Sequence, residues 1–250
     1  MDIEDIVAKV TKEVYARLGK QTDARQQNTQ PKVPVPDDIA GKLEHSMLNP
    51  DTTAETIRQG CIDAKKHRFA NVCVSPYYVG TAAALLNGSG VGVCTPVGFP
   101  HGAASTAAKI AEIREAVMNG ATEVDVSMMI VAVKSGDFDG VMKDLLELVT
   151  VAGSRVKFKA IYEQGLLNED EKIKALTIAK QCGVDYIKIS NALTGKKASA
   201  ADVKFVRSVV GSGIGIKIDG GIKDAATAAE LINASADRLG ASASVRIVAG

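Results

Sequence analysis

What most constrains this chain is an alternation that begins near residue 38. Short β-like runs come first: "KLEHS" (42–46), "NVCVS" (71–75), "VGVCTPVGF" (91–99) and "EVDVSM" (123–128). "VKFKAIYE" (156–163), "YIKIS" (186–190), "GIGIKID" (213–219) and "RLGAS" (238–242) complete the set. Between them lie longer stretches with helical spacing of apolar residues, at 52–67, 105–119, 137–151, 168–182, 199–210 and 224–233. Strand runs of four to eight residues separated by helical patterns point to βαβ units and a parallel sheet. Eight of them in succession predict an α/β fold, the (β/α)₈ or TIM barrel. The part of the chain after residue 38 is close to the lower limit of roughly 200 residues for such a barrel, leaving little room for a second domain.

Ahead of the alternation stands a different kind of text. Residues 1–19 place Ile3, Ile6, Val7, Val10, Val14 and Leu18 on one stripe with charges opposite, and Gly19 ends the pattern. This predicts an amphipathic helix. Residues 20–37 are polar, rich in Gln and Asn, and punctuated by proline, the composition of a linker with too little apolar surface to order itself. The expected organisation is therefore a docking helix at 1–19, a linker at 20–37 and a barrel at 38–250, with the helix tethered to the barrel and not integrated into it.

Several function classes find no support. Thirty basic and twenty-nine acidic side chains give a net charge of +1, and no basic block is interleaved with aromatics, so no nucleic-acid partner is expected. No apolar run reaches membrane-spanning length, and the acidic residues of the first helix offset its basic ones, so no membrane partner is expected either. Cys61, Cys73, Cys94 and Cys182 form no CxxC pair and read as free thiols of a cytoplasmic protein. His45, His67 and His101 lack the spacing of a zinc site, so neither a metal nor another cofactor is expected.

The chemistry lies in the strands. Side chains alternate between the two faces of a strand, and in a barrel one face meets helices while the other fills the interior. Ile187 and Ile189 outward put Tyr186, Lys188 and Ser190 inward. Ile214, Ile216 and Ile218 outward put Lys217 and Asp219 inward. The same parity directs Glu123, Asp125, Ser127, Lys157, Lys159 and Glu163 inward. An interior salt-bridge network is one account of such a set. Two lysines on neighbouring strands suggest another, because like charge and desolvation both favour a neutral amine. A neutral amine attacks an aldehyde or ketone to form a Schiff base, an electron sink for breaking or making a carbon–carbon bond. In that scheme Lys188 is the nucleophile, Lys217 the cation that lowers its pKa, and Asp125 the proton shuttle.

The motifs also carry a resemblance. "LEHSMLNPD", "ANVCVSPYYV", "VCTPVGFPHGAAST", "NGATEVDVSMMI", "KAIYEQGLL", "VDYIKIS", "GIKIDGGIK" and "RLGASASVRIV" occur in the order seen in the deoxyribose-phosphate aldolases, which are class I, metal-independent lyases. The resemblance implies reversible cleavage of 2-deoxy-D-ribose 5-phosphate to D-glyceraldehyde 3-phosphate and acetaldehyde, so that a phosphorylated sugar and small aldehydes are the expected partners. It also implies a homodimer. The family's Schiff-base lysine matches Lys188, its second lysine Lys217 and its acid–base aspartate Asp125. Gly220, Gly221, Gly240 and Ser242 follow the seventh and eighth strands, where barrels commonly bind phosphate through backbone N–H groups, and Lys223 adds a positive charge. Simple turn formation is the other account of the glycines.

The chain departs from the family at several positions. Ile189, Ser190, Asn191 and Ala192 stand where Thr-Ser-Thr-Gly is usual, and Ala243 replaces a serine. Glu44 replaces an aspartate, and Gln164 a threonine. Asp219 occupies a position that is usually small and neutral, where a carboxylate could repel a phosphate or pair with a lysine. These changes leave open another phosphorylated sugar as substrate, or a catalytically silent sugar-phosphate-binding scaffold. The layout of helix, linker and enzyme resembles the encapsulation peptides that carry cargo into bacterial microcompartments, which implies a shell protein as partner of residues 1–19. Self-association of the helix is the alternative.

Overall fold

A computed structural model describes residues 3–22 and 38–249. Eight parallel strands close into a barrel in chain order, each hydrogen-bonded to its neighbours and the eighth to the first. They are β1 (Leu43–Met47), β2 (Asn71–Val74), β3 (Gly92–Val97), β4 (Glu123–Ser127), β5 (Lys157–Glu163), β6 (Tyr186–Ser190), β7 (Gly215–Asp219) and β8 (Arg238–Ala241). The (β/α)₈ expectation therefore holds, with strand ends within about two residues of those read from the alternation, as is usual for element boundaries.

Helix α1 (Ile3–Thr22) precedes the barrel, and the layer around it holds α2 (Ala54–His67), α3 (Val79–Leu86), α4 (Thr106–Met118), α5 (Ile130–Lys134), α6 (Phe138–Ala152), α7 (Glu169–Gln181), α8 (Ala200–Val210), α9 (Ala225–Asn233) and α10 (Ser244–Ala249). Local chemistry sets several of the starts. Thr53 and Ser105 accept backbone N–H bonds at the heads of α2 and α4. Asn168 and Glu171 form a reciprocal capping box on α7. Each such cap satisfies a donor that the helix itself cannot, typically stabilising by about 1 kcal/mol.

The strands' outward residues make the main core. Ile187, Ile189, Ile216 and Ile218 are fully buried against the helices, each worth about 1.5–3 kcal/mol of transfer free energy. Register places inward residues side by side: Asp125 faces Lys159, Lys188 faces Lys217, and Asp219 faces Gly240. The interior is thus charged where the exterior of the sheet is apolar.

Helix α1 departs from expectation. The helix packs against α7 and α8, and Val7 and Val14 of its apolar stripe are buried there, 5% and 1% exposed. Tyr15 donates its hydroxyl hydrogen to Glu169 Oε2 at 3.0 Å. An apolar stripe seeks cover, and here the neighbouring barrel helices supply it, so the helix is docked where the sequence suggested a free tether. The helix also continues to Thr22, past Gly19. Residues 23–37, most of the expected linker, lie outside the described residues.

Candidate active site

The barrel interior holds eight ionisable side chains joined by ion pairs. Glu44 comes from β1, Glu123 and Asp125 from β4, Lys159 from β5, Lys188 from β6, Lys217 and Asp219 from β7, and Arg238 from β8. Four carboxylates meet four cations, so the fully ionised set is neutral. Buried charges are tolerated only when paired in this way.

Asp125 sits at the centre, and both of its oxygens are saturated. Oδ1 accepts from Lys159 Nζ at 2.8 Å and from the Cys94 thiol at 3.1 Å. Oδ2 accepts from Lys188 Nζ at 2.8 Å and from Lys217 Nζ at 2.6 Å. Burial alone would raise the Asp125 pKa, but the three lysines outweigh it and hold the carboxyl well below its usual range. Below it, Glu44 bonds to Lys217 and lies 3.4 Å from Lys159. Burial opposes ionisation of Glu44 as well, yet Lys159 and Lys217 bring its pKa down to about 2. Lys159 also reaches Glu123 at 2.6 Å, and Arg238 approaches the same carboxylate at 3.5 Å from the lower end of the barrel.

Lys188 stands between two carboxylates, Asp125 Oδ2 and Asp219 Oδ2, each at 2.8 Å. Desolvation pulls its pKa down, but the two carboxylates prevail and hold it above the ordinary lysine value. Lys217 is raised in the same way by Asp125, Asp219 and Glu44 against its own burial. The expectation that paired lysines leave one amine neutral is therefore corrected for the substrate-free molecule. The lysines do repel each other, but Asp125 and Asp219, each 2.8 Å from the Lys188 ammonium, outweigh that repulsion.

A cavity of about 540 Å³ opens above this cluster at the C-terminal end of the strands. Lys188 and Asp219 lie on its floor, and Gly220, Gly221, Lys223, Gly240 and Ser242 line it together with Asn191 and Lys196. Asp125 and Lys217 lie beneath, touching Lys188 and Asp219 rather than the cavity. The structure thus gathers all eight residues singled out from sequence at one end of the barrel. Gly220 and Gly221 adopt φ of +123° and +67°, which an L side chain rarely tolerates, and they turn the chain around the cavity wall. Gln164 donates to Asn191 Oδ1 at 3.2 Å and fixes that side chain in the wall, while Asn191 Nδ2 has no hydrogen-bond partner among the described residues.

Two members have a role that the sequence does not assign. Parity turns Lys159 inward without naming its partners, and Glu44 is legible only as a departure from family usage. Each acquires its place through barrel closure, which brings β1 within reach of β5 and β7. Lys157 shares the inward parity but sits at the open lower end, exposed to solvent. Glu44, Cys73, Cys94 and Asp125 have ligand atoms within 4.8 Å of one another. Their carboxylates already accept from lysine ammoniums, so the donor set does not fit a cation without displacing those lysines.

Fold and site together define a (β/α)₈ enzyme whose reacting end is built from amines and carboxylates. The sequence pattern of the DeoC/LacD family aldolases spans residues 38–247. This chain belongs to that family and is a carbon–carbon lyase. A deoxyribose-phosphate aldolase from Desulfitobacterium hafniense is 44% identical over 211 residues, covering 84% of this chain and 97% of the relative. Among solved structures, an aldolase called QR15 superposes with a TM-score of 0.81 at 32% identity, covering 86% of this chain and 96% of its own. A deoxyribose phosphate aldolase from Aeropyrum pernix, described as tetrameric, superposes with a TM-score of 0.79 at 26% identity, over 84% and 89% of the two chains.

Proposed function

We propose that this aldolase reversibly cleaves 2-deoxy-D-ribose 5-phosphate to D-glyceraldehyde 3-phosphate and acetaldehyde, through a Schiff base on Lys188. The observation that carries the reading is access. Of the three lysines in the central cluster, Lys188 alone lines the cavity, while Lys159 and Lys217 are sealed beneath it. After loss of its proton, the Lys188 amine adds to the sugar's carbonyl carbon and the oxygen departs as water. The resulting iminium draws the electrons of the neighbouring carbon–carbon bond as that bond breaks. Asp125 moves the proton that cleavage and enamine protonation require, and Lys217 is the cation that pulls the Lys188 pKa down against its carboxylates while keeping Asp125 ionised.

The phosphate is placed at the glycine-lined wall. Backbone N–H groups around Gly220, Gly221, Gly240 and Ser242 would receive its oxygens, with Lys223 supplying charge. Asp219 favours a second reading, in which another phosphorylated sugar is the better substrate, because its carboxylate stands on the cavity floor where the incoming anion approaches. The test is reduction with borohydride in the presence of acetaldehyde or deoxyribose 5-phosphate, with the added mass located by peptide mass spectrometry. An adduct on Lys188 that is absent from Lys188→Ala supports the mechanism. Well-folded protein that gives no adduct with either compound excludes it.

Residues 1–19 are proposed to engage a microcompartment shell protein, placing the enzyme in that compartment of the cytoplasm. Support comes from the amphipathic stripe and from the layout of helix, linker and enzyme, and acetaldehyde is a volatile product that a shell would retain. Release of α1 from α7 and α8 is a precondition, since the same stripe cannot cover both surfaces. Deletion of residues 1–36 should abolish shell association and leave aldolase activity intact; association that survives the deletion excludes this role. The assembly is proposed to be a homodimer through barrel helices, a mass that light scattering reads directly. No helix among the described residues is long and apolar enough to cross a membrane.

A further inference from the structure

We propose that Asp219 holds Lys188 as its ammonium in the resting enzyme and thereby sets the pH above which the Schiff base forms. The inference rests on Lys188 being the amine that meets the carbonyl, and it assigns Asp219 a positioning role that the reaction itself does not demand.

Three observations lead there. First, Lys188 Nζ lies 2.8 Å from Asp219 Oδ2 and 2.8 Å from Asp125 Oδ2, so the ammonium is shared by two carboxylates, one from the adjacent β7 and one from β4, two strands away. Second, the fold makes room for the second carboxylate. Asp219 stands opposite Gly240 in register, and a Cβ built on Gly240 would overlap the Asp219 carboxyl group. Third, the charges balance only with Asp219 present. Glu44, Glu123, Asp125 and Asp219 offset Lys159, Lys188, Lys217 and Arg238 one for one. Without Asp219 the cluster carries one uncompensated cation in a buried setting, which favours loss of a proton from whichever ammonium can release it. Lys159 and Lys217 are wholly enclosed, whereas Lys188 lines the cavity.

The groups that face Lys188 from every side decide the sign. Burial opposes the ammonium, Asp125 from β4 and Asp219 from β7 favour it, Lys217 from β7 opposes it, and Cys73 from β2 and Glu44 from β1 add to the favourable side. The Phe99 ring, with its centroid 6.0 Å from Nζ, also favours the cation. Removing the Asp219 charge subtracts from one side only, so the Lys188 pKa must fall. Schiff-base formation requires the ammonium to give up one proton. The free amine then adds to the carbonyl carbon, and the oxygen leaves as water carrying that proton and a second one from nitrogen, which leaves a protonated imine. The rate climbs with pH until the amine is the resting form, and a lower pKa moves that climb to lower pH.

The experiment compares wild type with Asp219→Asn, which keeps the shape and loses the charge. Asp219→Ser serves as a second variant if the first proves unstable. The rate of borohydride-trapped acetaldehyde adduct on Lys188 is followed from pH 6 to 10, and competitive acetylation of Lys188 without substrate is followed over the same range by mass spectrometry. The expected result is a shift of both midpoints downward by about one pH unit or more, which is about a tenfold gain in trapping rate at a fixed pH on the rising limb. Midpoints that stay in place, or that rise, overturn the role of Asp219 even if the adduct forms normally. An acetylation midpoint that shifts while no adduct forms in either protein retains the control of Lys188 and instead overturns the aldolase chemistry proposed for it.

Discussion

Lys159→Met is the perturbation that most directly probes the buried charge cluster. Methionine has nearly the volume of lysine, so the change removes charge with little loss of packing. The Lys159 ammonium lies 2.6 Å from Glu123, 2.8 Å from Asp125 and 3.4 Å from Glu44, with no part of its side chain exposed. Taking one partner from a buried ion pair typically costs about 3–5 kcal/mol, because the remaining charge is left without compensation. Against a total stability of about 5–15 kcal/mol this is a large fraction. At about 2–4 °C per kcal/mol for a chain of this size, the melting temperature at pH 7 should fall by roughly 6–20 °C. Adding Glu123→Gln removes a carboxylate along with the cation, and the double variant should regain more than half of the loss. Thermal unfolding followed by circular dichroism at equal protein concentration gives all three values. A single-variant loss below about 3 °C, or a double variant worse than the sum of its parts, would refute the idea that charge balance governs stability here.

Three further outcomes are expected. The pKa of Glu44 is about 2 in the folded chain against an ordinary 4.5, so its ionisation stabilises the fold fully above pH 4.5, and that contribution is lost as pH falls through about 2. Wild type should therefore lose melting temperature over that window more steeply than Glu44→Gln, as scanning calorimetry at successive pH values would show. Gly240→Ala should force the Asp219 carboxylate to move, at a cost of about 1–3 kcal/mol typical of overpacking, and Asp219→Ser in the same chain should recover most of it in urea unfolding. Val14→Asp should strip α1 from α7 and α8 and expose the arm to limited proteolysis, while the barrel's melting temperature changes little.

Much of the fold was legible because two periodicities do not resemble each other. Runs such as "YIKIS" and "EVDVS" can bury apolar side chains on one face only as strands, and their parity sorts inward from outward residues. The helix α3, "VGTAAALL", is not legible in sequence because it has almost no polar side to mark a period, and α10 is too short to show one. The site was legible to the level of which residues point inward. What parity cannot show is which inward groups meet across the barrel. Glu44 and Lys159 are 115 residues apart and are joined only by closure of the sheet. The direction of the Lys188 shift depends on distance and not on parity: Lys217, Asp125 and Asp219 all point inward by parity, and only the closed barrel shows that both carboxylates lie 2.8 Å from the ammonium. Asp219 departs from family usage, and its carboxylate pairs with Lys188 at 2.8 Å.

The docking of α1 has a consequence for any molecule that would use the same apolar stripe. A competitor meets an arm that is already occupied, and it binds only the fraction of molecules in which the arm has let go. If the docked form outweighs the free form tenfold, the competitor's apparent affinity is about tenfold weaker than its intrinsic one. Substitutions on α7 or α8, far from the competitor and never touching it, would then tighten its grip simply by making the barrel a poorer host. The surface of the enzyme acts as a reservoir that meters out its own N-terminus.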